Sequence, residues 1–345
     1  MEVDYIIVGC GLAGLNFCEL LFQNNKSFVV FDNGSQQSST VAGGLYNPVI
    51  LKRFTPVWRS DEQLKLTTKV YSELEKKLNK KLDYKLPVRR VFHSIEEQNN
   101  WIVASDKTGL SSYLSTTFIK NDNSYINAPF GLGEVNYTGR VDTPLLISEY
   151  KNLLRLNNQL VEESFDYNSI ELNDLKVSHK KITAKHIVFS EGYGLHKNPF
   201  FNTLPLKGTK GELLTIYAPD LKINYVLKSS AFLIPQGNDN YLVGATYEWT
   251  DKTNTITKKA KKELLDKLDT MITCTYEIID QHAGIRPTVI DRRPLVGTHS
   301  KYKKLHILNG LGTRGVMIAP YVARELYDYI ENSQKLDPEI DIKRF

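Results

Sequence analysis

Gly9-Cys10-Gly11-Leu12-Ala13-Gly14 spaces three glycines as G-x-G-x-x-G, and Asp32 stands 18 residues after Gly14. Glycines so spaced permit a tight turn (Gly9), let a pyrophosphate approach backbone N–H groups (Gly11) and let a helix pack closely on a strand (Gly14). The backbone of Leu12 and Ala13 then opens a helix whose positive end faces the phosphates, and Asp32, followed by Asn33, is placed to accept from ribose hydroxyls. This is dinucleotide-binding chemistry. Two more glycine segments lie far away, at Ala42-Gly43-Gly44-Leu45 and at Asn309-Gly310-Leu311-Gly312-Thr313-Arg314-Gly315-Val316. A nicotinamide dinucleotide would leave both without work, whereas one long, flat, buried ligand would use all three. Gly284-Ile285-Arg286-Pro287 adds a guanidinium fork suited to a planar carboxylate. For Arg286 two readings stay open: an anchor for a carboxylate, or a structural bridge to Asp291 or Glu248.

The elements that must carry these residues can be read from periodicity. Tyr5-Ile6-Ile7-Val8 reads as a buried parallel strand, Leu12 to Phe22 recurs at helical spacing, and Phe28-Val29-Val30-Phe31 is the next strand. The order strand, glycine turn, helix, strand opens a doubly wound sheet. Leu66, Val70, Leu74, Leu78 and Leu82 step by four through a charged stretch, predicting a surface helix in a different layer. Asp142 with Pro144 caps a helix to about Leu156. Ile187-Val188-Phe189 is a short strand ending in Ser190-Glu191-Gly192, so Ser190 and Gly192 would sit beside the first glycine turn. Leu213 to Thr246 is punctuated by Pro219, Pro235 and Gly237-Asn238-Asp239-Asn240 as an antiparallel meander, and Lys258 to Met271 is a charged helix with a solvated face. Leu305-His306-Ile307-Leu308 is a last strand, and Pro320 marks the expected start of a helix running to Ile330. The fold class expected is α/β: a Rossmann-like doubly wound domain built from residues 1–57, 138–205 and 282–345. A β-rich α+β substrate domain is inserted as 58–137 and 206–281.

Composition narrows the function. In 345 residues, 44 Lys+Arg against 39 Asp+Glu give a net charge of +5 with the basic residues scattered, which does not suggest DNA binding. Three cysteines without a CxxC pair fit a reducing compartment. No apolar run reaches the roughly 18 residues of a membrane span, and no basic segment leads into an apolar one before Tyr5. A cytoplasmic location is expected. The seven histidines show no paired ligand spacing, so no metal site is expected, and neither G-x-S-x-G nor a Walker lysine pattern occurs.

The opening Gly9 to Asp32 segment, Ala42-Gly43-Gly44, His282-Ala283-Gly284-Ile285-Arg286-Pro287, Pro294-Leu295-Val296-Gly297 and the closing Asn309 to Pro320 segment together resemble the D-amino-acid oxidase and glycine oxidase superfamily of FAD enzymes. The resemblance implies FAD, and non-covalent FAD because no flavin-linking cysteine is matched near Arg314. It places Gly9, Gly11 and Gly14 at the pyrophosphate, Asp32 at the ribose, Gly43 and Gly44 beside the flavin, and the Phe165 backbone near the adenine. It also puts Gly312 to Val316 at the flavin edge that becomes negative on reduction. Arg286 would pair with a substrate carboxylate and also stand among the cofactor contacts. Phe232 stands where these enzymes often carry a tyrosine hydroxyl, with Tyr225, Tyr247 and Tyr46 as candidates to compensate. The implied reaction is C–N oxidation of an amino acid or related amine by hydride transfer to flavin N5, with oxygen or another acceptor reoxidising the flavin.

Asn47, Arg53 and Trp58 follow the second glycine segment and either line the pocket or belong to a domain crossover. His282 precedes the Arg286 motif and either faces the flavin and substrate or is an ordinary packed histidine. No residue is expected to act as a catalytic acid or base, and Asp291 is expected to brace the turn before Pro294. Two other functions compete: oxidation of a glycine-like amine on tRNA wobble uridine, and flavin binding without turnover.

Overall fold

In the computed structural model, which describes residues 1–173 and 176–345, the elements around the site begin with β1 (Glu2–Val8), α1 (Leu12–Gln23), β2 (Phe28–Phe31), α2 (Ser60–Leu78) and α3 (Thr143–Leu156). They continue with β3 (Ile182–Phe189), β4 (Thr209–Tyr217), β5 (Val226–Lys228), β6 (Phe232–Gly237) and β7 (Asn240–Gly244), then α4 (Lys258–Asp269), β8 (Glu277–Arg286), β9 (Leu305–Asn309) and α5 (Gly315–Glu331).

Tyr5-Ile6-Ile7-Val8 is buried on both faces, as a central parallel strand must be. β1 pairs with β2 on one side (Tyr5 opposite Phe28) and with β3 on the other (Ile6 opposite Ile187). A short strand, Leu160–Val161, extends the sheet beyond β2, and β9 extends it beyond β3. The chain therefore reverses its direction of winding between β1 and β3. That is the switch point at whose carboxyl-terminal edge ligands bind in doubly wound sheets. Gly9 to Gly11 leave β1 there, and Ser190 to Gly192 leave β3 beside them. The Asp142 carboxylate caps α3 by accepting from the Leu145 N–H at 3.2 Å, with a proline in the first turn.

A second, eight-stranded sheet runs β8, β4, β7, β6, β5 and then Val88–Val91, Leu132–Val135 and Leu114–Ile119. Its side chains alternate with period two. Leu214, Leu227, Leu233 and Val243 join Leu264 and Leu268 of α4 in one core, while Leu213, Ile234 and Leu242 belong to the cluster on the opposite face.

Three expectations need correction. First, α2 does not sit in the layer of the inserted piece: Tyr71 and Leu74 are packed in the same core as Leu15 of α1, Tyr150 of α3 and Met317 of α5. Its buried stripe is Gln63, Thr67, Tyr71 and Leu74, rotated from the leucine row. Second, residues 282–286 end β8 in the second sheet and are not part of the nucleotide-domain sheet. Third, α5 begins at Gly315 and holds Pro320 inside it.

The first and third have one cause. Proline has no N–H, so Pro320 leaves the carbonyl four residues earlier, Val316, without its helical partner. The Tyr71 hydroxyl of α2 donates to that carbonyl at 2.9 Å, and the Thr67 hydroxyl donates to Met317 at 3.3 Å. Polar residues in the α2 stripe thus satisfy a helix that proline would otherwise break, and they bind α2 to the nucleotide domain. Replacing Tyr71 by Phe should leave a buried carbonyl unpaired and cost about 1–3 kcal/mol of stability. Urea unfolding checks this, and an unchanged midpoint would contradict the assignment.

Candidate active site

The carboxyl edge of the parallel sheet and the Leu213 face of the second sheet enclose one cavity of about 740 Å³, within the range of small-molecule sites, roughly 300–1,000 Å³. Close approach at the first glycine turn shapes its floor. Gly9 has φ +99°, and a Cβ there would lie 2.5 Å from the Ser190 carbonyl oxygen. A Cβ on Gly14 would overlap the Gly9 carbonyl and come within 2.7 Å of Ser190 Oγ. Gly14 therefore lies behind the cavity wall and lets α1 pack, while Gly9, Gly11, Leu12 and Ala13 line the cavity itself. The Leu12 N–H, a free donor at the start of α1, reaches Ser39 Oγ at 3.2 Å.

Asp32 is held by three donors: Cys10 N–H at 2.6 Å, Gly34 N–H at 2.8 Å and Lys151 Nζ at 2.8 Å. It ties the glycine turn to the end of β2, and Lys151 of α3 reaches it across the cavity wall. Asn33 donates to Ser164 Oγ at 2.9 Å. Phe165 lines the same end, its ring stacked 4.0 Å from that of His179. Ser190 and Gly192 lie there too, with Glu191 between them. Burial pushes the Glu191 carboxyl up to about 7 against the hydrogen bonds from Asn198 and the Tyr167 hydroxyl.

At the other end, Gly43, Gly44, Leu45 and Asn47 face Gly312, Thr313, Arg314, Gly315 and Val316 across the space beneath the second sheet. Gly44 adopts φ +70°, and a Cβ there would overlap the Val141 carbonyl. The N-terminus of α5 opens here, placing its unsatisfied N–H groups and partial positive charge at the cavity.

Arg286 lines this end, and neither bridge left open by the sequence forms. Asp291 pairs with Arg344 at 2.7 Å, and Glu248 accepts from the Thr250 N–H at 2.7 Å with Lys259 at 3.8 Å. Among the described residues no carboxylate lies within ion-pair distance of Arg286. Its Nη1 donates to the Thr246 carbonyl at 3.2 Å, and its guanidinium lies over the Tyr247 ring, 4.6 Å from the centroid. Burial lowers its pKa from the ordinary arginine value, and burial does the same to Arg314. Room for the fork comes from Gly211 on β4, where a side-chain carbon would overlap Nη1 and Nη2. Phe232 lines the cavity as expected, and Tyr247 is the tyrosine that meets Arg286. Tyr225 lies under Arg89 in the second core, and the Tyr46 hydroxyl donates to Asp83 at 2.8 Å.

Three expected site residues are elsewhere. Arg53 lies in the exposed turn after Leu51, His282 faces outward with Nε2 3.4 Å from Asp280, and neither lines the cavity. Gly310, at φ +75°, makes the turn over Val289 without reaching the cavity. Trp58 is likewise outside, donating to Glu339 at 3.1 Å. Gly211, Lys151, Glu191 and Lys228 are cavity residues that the sequence reading did not single out. They come from separate strands and a helix, and only the pairing of those elements brings them together.

A family model described as FAD dependent oxidoreductase matches residues 4–329. The chain belongs to that family. Glycine oxidase of Bacillus subtilis (strain 168) is 25% identical over 167 residues, covering 46% of this chain and 45% of that relative, so the match spans less than half of the relative's length. Among solved structures, glycine oxidase from Geobacillus kaustophilus superposes with a TM-score of 0.82 at 18% identity, over 100% of this chain and 99% of that one. Iminodiacetate oxidase from Chelativorans sp. BNC1 gives a TM-score of 0.79 at 16% identity, over 99% and 98%. At such identities the likeness is one of fold. The residues present also fit the family's cofactor: three glycine segments border one cavity, Gly9 and Gly44 at positions where a side chain would overlap backbone, with Asp32 at one end and a helix N-terminus at the other. No helix among the described residues is long and apolar enough to cross a membrane.

Gly211 gives a direct check on the Arg286 pocket. A methyl group there displaces a flexible side-chain end rather than backbone, so Gly211→Ala should fold and keep its cofactor. Its affinity for benzoate should fall roughly 10- to 100-fold, the loss of one or two charge-assisted hydrogen bonds. Unaltered benzoate titration would show that the fork is not held over Gly211.

Proposed function

We propose that this protein is an FAD-dependent oxidoreductase that oxidises the C–N bond of an amine bearing a carboxylate. The observation that carries the proposal is Arg286, a guanidinium with no carboxylate within ion-pair distance among the described residues, in the cavity shared by all three glycine segments. The names of the relatives, glycine oxidase and iminodiacetate oxidase, support the same class.

In this reading Gly9, Gly11, Leu12 and Ala13 hold the pyrophosphate, Asp32 and Asn33 the ribose, and Phe165, Ser190 and Gly192 border the adenosine. Gly43, Gly44 and Leu45 lie along the flavin, opposite Gly312 to Val316. Bound FAD supplies the two-electron acceptor for hydride from the substrate C–H, leaving an imine that water hydrolyses. The chain orients and shields. Tyr247 stacks on one face of the Arg286 guanidinium, the Thr246 carbonyl accepts a hydrogen bond from Nη1, and its remaining donors are free to grip a carboxylate bidentately. Leu51, Leu213, Phe232 and Ile234 form an apolar wall that strengthens that ion pair by keeping water out. The N-terminus of α5 supplies fixed positive potential where negative charge develops on reduction. The lining carboxylates Asp32, Glu163 and Glu191 stand with Phe165 at the far end, which leaves the Arg286 end to cations.

None of the three cysteines lies in the flavin-facing segments, and Cys10 is buried within the glycine turn with its thiol pushed up to about 12 by burial. Acid precipitation of the purified protein should therefore release FAD into the supernatant. Arg286→Leu tests the anchor. It should melt near the parent and keep its flavin, yet lose carboxylate inhibitor binding and turnover efficiency by roughly 3 to 5 kcal/mol, two to four orders of magnitude. A variant that melts early but binds benzoate normally would remove Arg286 from the site.

A further inference from the structure

A second cation faces the same end of the cavity. Lys228 closes β5 and stands opposite Phe232 on β6, which stands opposite Gly244 on β7, itself opposite Leu213 on β4. Residues directly opposite in an antiparallel sheet share a face, and all four line the cavity. The Lys228 ammonium sits 4.7 Å from the centroid of the Phe232 ring and donates to the Ser229 carbonyl. Among the described residues no carboxylate is within ion-pair distance of it. Its charged neighbours, Arg90 and Lys267, are both cations and have partners of their own: Arg90 meets Glu97 at 3.5 Å and Lys267 meets Glu263 at 2.6 Å. Burial, with those two cations, pushes the Lys228 pKa down to about 8. A half-buried ammonium among cations, beside an aromatic ring with no hydroxyl, is stabilised most by an anion, and the described residues do not supply one.

The position of this charge defines what it can meet. The Arg286 guanidinium lies over Gly211 of β4, and the Lys228 ammonium lies over Phe232 of β6, with β7 between them. Two strand spacings and a two-residue offset along the strands separate the cations, roughly 12 Å. One carboxylate cannot bridge that distance, but a molecule with an acidic group at each end can.

We propose that the substrate is an amine with two carboxylates, one on Arg286 and the other on Lys228, with the oxidised C–N bond between them. This rests on the Arg286 reading and narrows it from carboxylate-bearing amines to dicarboxylic ones, with Lys228 as the residue that sets the choice.

The FAD-loaded protein can be titrated with unreactive acids of matched length, butyrate against succinate, pentanoate against glutarate and hexanoate against adipate, following both flavin absorbance and melting temperature. The diacid of best fit should bind at least tenfold more tightly than its monoacid partner. Lys228→Met should erase that advantage and leave monoacid affinity within about twofold, while Lys228→Arg should retain most of it. Equal affinities for diacid and monoacid in the parent would overturn the proposal, as would a diacid advantage that survives in Lys228→Met. If monoacids bind and Arg286→Leu abolishes their binding, the carboxylate anchor stands even where the diacid preference fails. If no acid binds the parent, both readings fall together.

Discussion

A guanidinium that no carboxylate among the described residues balances is the constraint around which the cavity is organised. Arg286 ends β8 inside the protein, and a half-buried cation is tolerated only if its donors and its field are met. The Thr246 carbonyl and the Tyr247 ring meet part of that requirement. Gly211 provides the room, because a side chain there would occupy the guanidinium's place. The sheet that carries Arg286 therefore roofs a space that is electrostatically incomplete, and in the proposed reading a substrate carboxylate completes it.

The other half of the cavity obeys a steric constraint. β1 and β3 stay paired to their ends at the switch point, and the glycine turn after β1 can nest against the end of β3 only because Gly9 and Gly14 lack side chains. The same crowding leaves backbone, rather than side chains, facing the ligand space. At the far end α5 must point its N-terminus into the cavity, and Pro320 threatens that helix within its second turn. The hydroxyl of Tyr71 repairs the break from a neighbouring helix. A buried contact between α2 and α5 thus secures the dipole that faces the cavity.

Much of this was legible in the sequence because it is written in local patterns. The strand at Tyr5 to Val8, the glycine turn, the capped helix after Asp142 and the meander after Leu213 each follow from neighbours within a few residues. The start of α5 was misread because Pro320 is a breaker by local rules, and only a distant tyrosine reverses that. The layer of α2 was misread for the same reason: its buried face includes Thr67 and Tyr71, which a leucine count passes over. His282 and Arg53 sit close in sequence to true cavity residues yet miss the cavity: His282 shares the face of Arg286 on β8 but lies four residues earlier, at an exposed position, and Arg53 lies in a surface turn. Gly211, Lys228 and Tyr247 had no local signature at all. Their role depends on which strands are adjacent: β4 beside β8 brings Gly211 under Arg286, and β5 beside β6 brings Lys228 to Phe232.

The central claim is that a carboxylate, and not merely an amine, is what the Arg286 end of the cavity recognises. Its most direct test is anaerobic mixing of the FAD-loaded protein with pairs of amines identical except for a carboxylate, such as sarcosine against dimethylamine, and an N-carboxymethyl amino acid against its decarboxylated counterpart. Flavin absorbance reports reduction. Bleaching by the carboxylated member of a pair and none by the other is the expected result; equal bleaching by both would contradict the claim.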